Sequence, residues 1–262
     1  MTRLAHISDL HVSRTPGFDE LTLKRAVGYV NYRLNRSLRH SEDKIADAIQ
    51  NLVDNPPHIV VATGDLAQTG LDSEFESIRQ YFEPLVKRNI PVIIVGGNHD
   101  LYGGKVTPSW VALREYLALG LIPDKHGIIH FEDVEILPLE QWVKSPIFFS
   151  YGKVEQSALH KAFELWRTPP VDKARVVLGH YPVVMKGGTT SSFVHGLKKW
   201  KELLAFLRAA QVSGYLCGHI HKRKKYDLGE GVIQYAAPSL TVDGKPGIFE
   251  SCGSRLNFLS IE

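Results

Sequence analysis

Five short apolar runs punctuate this chain, and each breaks directly into a loop containing Gly together with Asp, Asn or His, or into an Asp-x-His triplet. The runs are Leu4 to Ser8, His58 to Thr63, Val92 to Val95, Arg175 to Leu178 and Tyr215 to Cys217. Their apolar character is mostly continuous, not alternating, which suits strands covered on both faces. Helical patterns separate them. Ser41 to Asp54 places Ile45, Ala48, Ile49, Leu52 and Val53 at helical spacing behind an acidic first turn. Ser73 to Arg88, Ser109 to Ala118, Gln156 to Leu165 and Lys199 to Ala210 read the same way. Strands alternating with helices argue for an α/β fold. From Gly127 to Tyr151, and again from Gly231 to Ile261, the period shortens and antiparallel strands are expected. With 262 residues and no internal repeat, a single domain spanning 1–262 is the simplest account.

The loops after the five runs carry chemistry. They read Asp9-Leu10-His11, Gly64-Asp65, Gly97-Asn98-His99-Asp100, Gly179-His180 and Gly218-His219-Ile220-His221. In open α/β sheets, ligands bind in the crevice beyond the strand C-terminal ends, so neighbouring strands would bring these loops together. Asp9, His11, Asp65, Asn98, His180, His219 and His221 offer seven oxygen and nitrogen donors and no thiol. That set suits borderline cations such as Mn, Fe or Zn. Seven donors exceed one four-coordinate ion but suit two ions sharing a carboxylate. Two ions about 3.5–4 Å apart clamp the attacking and leaving oxygens of a phosphoryl displacement. Taken singly, each residue has an ordinary reading. Asp65 could cap a helix, Asp100 could sit in a turn, and His99 or His180 could be a hydrogen-bonded structural histidine.

Together, the ordered blocks D-x-H, GD, GNHD, GH and GH-x-H resemble the calcineurin-like metallophosphoesterases, from residue 4 to about residue 240. The resemblance implies a four-layer α/β/β/α sandwich of two mixed sheets flanked by helices. It implies that Asp9, His11, Asp65 and His221 hold one metal, that Asp65, Asn98, His180 and His219 hold the other, and that Asp65 bridges. It further implies attack by a hydroxide between the ions, with His99 protonating the leaving oxygen and Asp100 orienting His99. The segment GDLAQTG before GNHD is similar to the branch that contains class III cyclic-nucleotide phosphodiesterases. A small phosphodiester or nucleotide-linked substrate is therefore expected. UDP-2,3-diacylglucosamine pyrophosphatases of lipid A synthesis, which share the metal motifs, are the alternative. A non-catalytic scaffold is the remote one, since every motif residue is present.

Other features are less directive. Residues 18–40 look inserted. Leu23, Val27, Val30, Leu34 and Leu38 share one side of a helical wheel, with Lys24, Arg25, Arg33, Arg36 and Arg39 around the other. Either the apolar side docks onto the domain, the preferred reading, or residues 21–40 touch a membrane surface. His195 is either a substrate contact or an ordinary loop histidine. Arg223 and Lys224, in the basic run HKRKK, are weaker candidates for holding a substrate anion. Cys217 and Cys252 are too few for a disulfide framework and read as small core residues. The net charge of +3 gives no reason to expect specific nucleic-acid binding. The N-terminus lacks a signal-peptide pattern, and no run approaches the ~18 apolar residues of a membrane span, so a cytoplasmic location is expected.

Overall fold

The apolar runs become strands because their residues are buried from both sides. A computed structural model describes residues 1–262 except 21, 36–39, 103, 147–148, 186–194 and 262. The strands are β1 (Arg3–Ile7), β2 (Ile59–Ala62), β3 (Val92–Ile94), β4 (Ile129–Phe131), β5 (Val134–Pro138), β6 (Gly152–Lys153), β7 (Ala174–Leu178), β8 (Leu197–Lys198), β9 (Gly214–Cys217), β10 (Lys224–Asp227), β11 (Ile233–Ala236), β12 (Gly247–Cys252) and β13 (Arg255–Ile261). The helices are α1 (Leu23–Asn35), α2 (Asp43–Asp54), α3 (Asp72–Lys87), α4 (Pro108–Ala118), α5 (Gln156–Trp166), α6 (Trp200–Ala209) and α7 (Leu240–Asp243).

One sheet runs β13-β12-β1-β2-β3 and a second runs β10-β11-β9-β7-β5-β4. Within the first, β1, β2 and β3 are parallel; within the second, β5, β7, β9 and β11 are parallel. The sheets pack face to face through Leu4, Val61, Val95, Ile136, Val176 and Leu216. On the outer face of the first sheet, Ala5, Ile7, Val60 and Ala62 meet α2, α3 and α4 through Ile49, Phe75 and Trp110. On the outer face of the second, Val177, Tyr215 and Cys217 meet α5 and α6 through Leu159, Trp166 and Leu203. The result is the expected four-layer sandwich. Side chains of adjacent strand residues go to different layers, so both must be apolar, which explains the unbroken runs.

Local chemistry sets the helix starts. Thr107 caps α4, its hydroxyl accepting from Trp110 N at 3.2 Å, and Pro108 supplies the first-turn φ. In the first turn of α3, buried Glu74 accepts from Thr69 N and Leu71 N, at 2.9 and 3.1 Å, and ties down the loop leading from Asp65.

Four expectations need correction. The stretch 127–151 supplies only the β4–β5 hairpin as strand; residues 139–151 form none among the described residues. The C-terminal stretch is split between sheets: β11 is antiparallel to β10 as expected but parallel to β9, α7 follows, and β12 and β13 form an antiparallel hairpin in the first sheet, with β12 also antiparallel to β1. Cys252 is exposed beside that hairpin turn, where no second layer covers it; Cys217 is buried as expected. Helix α1 docks through its basic side, with Leu23, Val27 and Val30 exposed. Arg25 donates to Thr69 O and Gly70 O, and Lys24 to Ser145 O and Oγ, so loop carbonyls and a hydroxyl take the cations inward. Residues 36–39, which complete the predicted wheel, lie outside the described residues. Among the described residues, no helix is long and apolar enough to cross a membrane.

Candidate dinuclear metal centre

The parallel strands β1, β2, β3, β7 and β9 all release their loops at one end of the sandwich. There the backbones interlock: Asp9 N donates to Gly64 O, His11 N to Asp65 O, and Gly218 N to His180 O, each at 3.0 Å. The approach is too close for side chains at several glycines of these loops. A Cβ on Gly97 would stand 2.5 Å from Asp65 N, and one on Gly218 would overlap Asp9 Oδ2 and Ser8 Oγ. Asp9, His11, Asp65, His219 and His221 all adopt left-handed φ, between 52° and 69°. That conformation costs a non-glycine residue about 1–2 kcal/mol, so five such residues in one site mark a place where geometry outranks local preference.

Donor atoms converge in groups. Asp9, His11 and His221 form one; Asp65, His180 and His219 form another; His11, Asp65 and His99 link them. His11 Nε2 lies 3.1 Å from His221 Nε2, which lies 3.2 Å from Asp9 Oδ1. His180 Nε2 lies 3.2 Å from Asp65 Oδ2 and 3.3 Å from His219 Nδ1. Nitrogens and carboxylates crowded at such distances fit a shared cation in each group. Two of the remaining ring nitrogens are fixed from behind. His180 Nδ1 donates to Thr63 O at 2.7 Å and His219 Nε2 to His195 O at 2.9 Å, which leaves Nε2 of His180 and Nδ1 of His219 facing the site.

Electrostatics point the same way. Burial would raise Asp65, but His180 and His99 outweigh it and hold the carboxyl well below its ordinary range. Burial would lower His180, but Asp65 and Asp9 outweigh it and raise it to about 9. A site that attracts a proton this strongly would also attract a cation in its place. Burial and the neighbouring imidazoles hold His11 well below its ordinary value. Burial and His180 bring His219 down to about 4, so these two rings are neutral, the form that ligates.

The other expected residues divide. Asn98 and His99 line the cavity over the donors, which measures about 490 Å³, and Tyr181 OH donates to Asn98 Oδ1 at 3.4 Å. His99 Nδ1 donates to Gln68 O at 2.7 Å. Its ring is stacked on Tyr102, with centroids 4.9 Å apart. Asp100 does not orient His99, contrary to expectation. Its buried carboxylate accepts from Ala67 N and Gly97 N, at 2.8 and 2.9 Å, and so braces the loop instead. Burial and the charge of Asp65 raise Asp100 to about 7. Asp65 caps no helix; its Oδ1 accepts from His99 N at 2.7 Å. His195 stands at the cavity rim, its Nδ1 2.7 Å from Ser150 Oγ. Arg223 is committed to Asp243 and Lys245 O.

Three residues were not anticipated. His40 lies edge-on to His11, with ring centroids 5.5 Å apart, and its Nδ1 is 2.6 Å from Thr241 Oγ1. Thr241 Oγ1 contacts Ser239 Oγ, which donates to Asp9 O at 2.7 Å, so α7 braces both His40 and a donor loop. No motif marks His40. Gln68 and Tyr102, which fix His99, each lie three residues after an expected block, GD and GNH respectively. Proximity to those blocks was the only available signal.

The comparisons with known proteins agree with this geometry. The family model described as calcineurin-like phosphoesterase matches residues 2–223. A probable glycerophosphodiester phosphodiesterase of Arcobacter nitrofigilis is 27% identical over 173 residues, covering 63% of this chain and 57% of that protein. A cAMP/cGMP dual specificity phosphodiesterase of Mycobacterium tuberculosis is 26% identical over 226 residues, covering 83% of this chain and 61% of that protein. The chain thus spans about three fifths of the length of these curated relatives. A crystal structure of a dimetal phosphatase from Danio rerio shares the fold, with a TM-score of 0.66 at 14% identity, over 99% of this chain and 98% of that one.

Proposed function

The chain belongs to the calcineurin-like phosphoesterase family, and from that premise we propose that it hydrolyses a small phosphodiester, in the manner of a cyclic-nucleotide phosphodiesterase, at a dinuclear divalent metal centre. The observation that carries this reading is the pair of donor groups linked through Asp65 and His11, with His99 beside them in an open cavity. In this proposal Asp9, His11, Asp65 and His221 hold one cation, and Asp65, Asn98, His180 and His219 hold the other. When bound, two divalent cations would supply charge neutralisation at the phosphoryl oxygens and a nucleophile at neutral pH. Manganese, iron and zinc all suit the donor set.

The chain's own residues do the rest. Thr63 O and His195 O fix the ring orientations of His180 and His219, so the phosphoryl group meets a prepared surface. The carbonyl of Gln68 holds His99 Nδ1–H, and Tyr102 holds the plane of the ring. His99 Nε2 is then the atom that delivers a proton to the departing oxygen. The relatives named as phosphodiesterases support a diester over a monoester. The cavity volume lies within the roughly 300–1,000 Å³ of small-molecule sites.

The test is turnover of bis(p-nitrophenyl) phosphate, p-nitrophenyl phosphate, 3′,5′-cyclic AMP, glycerophosphocholine and duplex DNA after loading with manganese, iron or zinc. Faster turnover of the activated diester than of the monoester, with cleavage of cyclic AMP, is expected. No metal-dependent hydrolysis of either activated ester, or a clear monoester preference, would overturn the reading. Glycerophosphocholine or DNA as the better natural diester would keep the reaction and replace the substrate.

A further inference from the structure

The cavity over the metal donors is lined by two unlike sets of residues. One set is the donors, with Asn98 and His99; the other includes Lys24 and Val27 of α1 and Phe149. Among the described residues that line it, Lys24 is the one Lys or Arg. Its ammonium donates to Ser145 O and Ser145 Oγ, at 3.0 and 3.1 Å, and lies 5.0 Å from the centre of the Tyr102 ring. Ser145 Oγ in turn donates to Phe149 O at 2.7 Å, so α1 and the Phe149 segment hold one another and fix the ammonium in place. Tyr102 stacks on His99. Lys24 is thus one aromatic ring away from the group assigned to the departing oxygen.

The partners of this half-buried ammonium are all neutral: a carbonyl, a hydroxyl and a ring face. Burial lowers its pKa, and no acid offsets the effect. Other cations drawn into the body have acids: Arg14 has Glu42, Arg114 has Glu140 and Arg175 has Glu135. Arg25 also lacks one, but its guanidinium is taken up by the carbonyls of Glu20, Thr69 and Gly70 and does not line the cavity. An ammonium has three donors, and Ser145 engages two of them. A partly desolvated cation with neutral partners, in a cavity wall, is stabilised when an anion arrives.

We propose that Lys24 is a specificity-determining residue that binds a second phosphate group, a monoester carried by the departing alcohol of the substrate. This rests on the phosphodiesterase reading: the diester phosphate occupies the metal donors, and the alcohol that leaves beside His99 brings its own phosphate to Lys24. Val27 and Phe149 give the organic part of that alcohol apolar surface. The same ammonium repels a cationic alcohol such as choline, so one residue selects for and against. The substrate class is a diester with an additional phosphate, as in a short oligonucleotide with a phosphorylated end. Cyclic AMP has no second phosphate and is cleaved without this contribution.

The experiment compares dithymidine monophosphate with the same dinucleotide carrying a further phosphate at its 5′ or its 3′ end, and glycerophosphoglycerol with glycerophosphocholine. Turnover at the internal linkage is measured for the manganese-loaded wild type, Lys24→Gln and Lys24→Arg. The readout is the ratio of kcat/KM within each protein, which cancels any general loss from a loosened Ser145 segment. In the wild type the extra phosphate should raise kcat/KM by about 10- to 100-fold at one of the two ends, less at high salt, and glycerophosphocholine should be the poorer of its pair. Lys24→Gln should bring both ratios close to one, and Lys24→Arg should keep them. A wild-type ratio near one, or the same preference in Lys24→Gln, would overturn the proposal. If none of these diesters is hydrolysed, the phosphodiesterase reading fails, and calorimetric binding of the three dinucleotides still decides the subsite. Tighter binding of a phosphorylated one, lost in Lys24→Gln, would support it; equal affinities, or a preference that survives in Lys24→Gln, would sink it.

Discussion

Replacing Gly97 by alanine should disable the metal centre while leaving the protein folded. The added Cβ would stand 2.5 Å from Asp65 N and 2.8 Å from Asp65 Cγ, and would overlap Asp65 Oδ1. Comfortable carbon contacts lie at about 3.5–4.0 Å, so roughly 1 Å of movement is required. Little else can give way. Gly97 N is held by Asp100 Oδ2, Asp65 Oδ1 by His99 N, and a Cβ on Gly64 would itself meet Gly97 N at 2.7 Å. The displaced group is the carboxylate expected to bridge. Overpacking of this kind costs about 1–3 kcal/mol of stability. A misplacement of about 1 Å costs on the order of 100-fold in rate. Gly96→Ala is the control. Its Cβ would meet only side-chain atoms, Leu101 Cδ1, Glu140 Oε2 and Trp110 Cζ2, at 3.2–3.4 Å. Metal stoichiometry after manganese loading, bis(p-nitrophenyl) phosphate turnover and thermal midpoint would be measured on both variants. A Gly97→Ala protein with two tightly bound ions and wild-type turnover would refute the reasoning. So would equal damage in the control.

Three further outcomes are expected. His99→Ala should keep both ions but slow turnover by about 100- to 10,000-fold, most for esters with poor leaving groups; an equal loss for activated and unactivated esters would exclude the proton-donor role. His40→Ala should weaken cation binding on the Asp9–His11–His221 side by about 10- to 100-fold, since the ring supports His11; calorimetric titration with manganese reads this directly, and unaltered affinity would reduce His40 to packing. His6 is buried against Thr63, and burial, with the charge of Arg223 adding to it, lowers it to about 3. A base depressed in the folded state contributes stability that is present above the unfolded value, about 6.5, and lost as pH falls toward the folded one. His6→Gln should therefore remove a slope of up to ~1.4 kcal/mol per pH unit between about 6.5 and 4.5. Urea midpoints across that window check it, and parallel curves for the two proteins would contradict the assignment.

The strand runs and most helices were legible to within one or two residues, because burial on both faces and the helical period leave direct marks in the sequence. Asp65, His99 and His180 each had an ordinary reading when taken singly, and their order along the chain is what set those readings aside. The pairing of the C-terminal strands was not legible. Nothing local to Ile233–Ala236 says that it lies parallel to β9 while its successors join the other sheet. Cys252 was misjudged for a related reason: residue type suggests burial, but its position by a hairpin turn has no layer above it.

The sequence by itself determined that donor residues follow the apolar runs, and so that a metal-binding crevice would form where those strands end. A motif needs only local chain geometry to place its side chains beyond a strand. Tertiary structure alone decided what fixes His99, that His40 stands beside His11, and that α1 turns Lys24 and Arg25 inward. Hydrophobic periodicity reports that a helix has an apolar side. It does not report which surface that side will meet, because that depends on the carbonyls, hydroxyls and rings that distant segments bring to the same place.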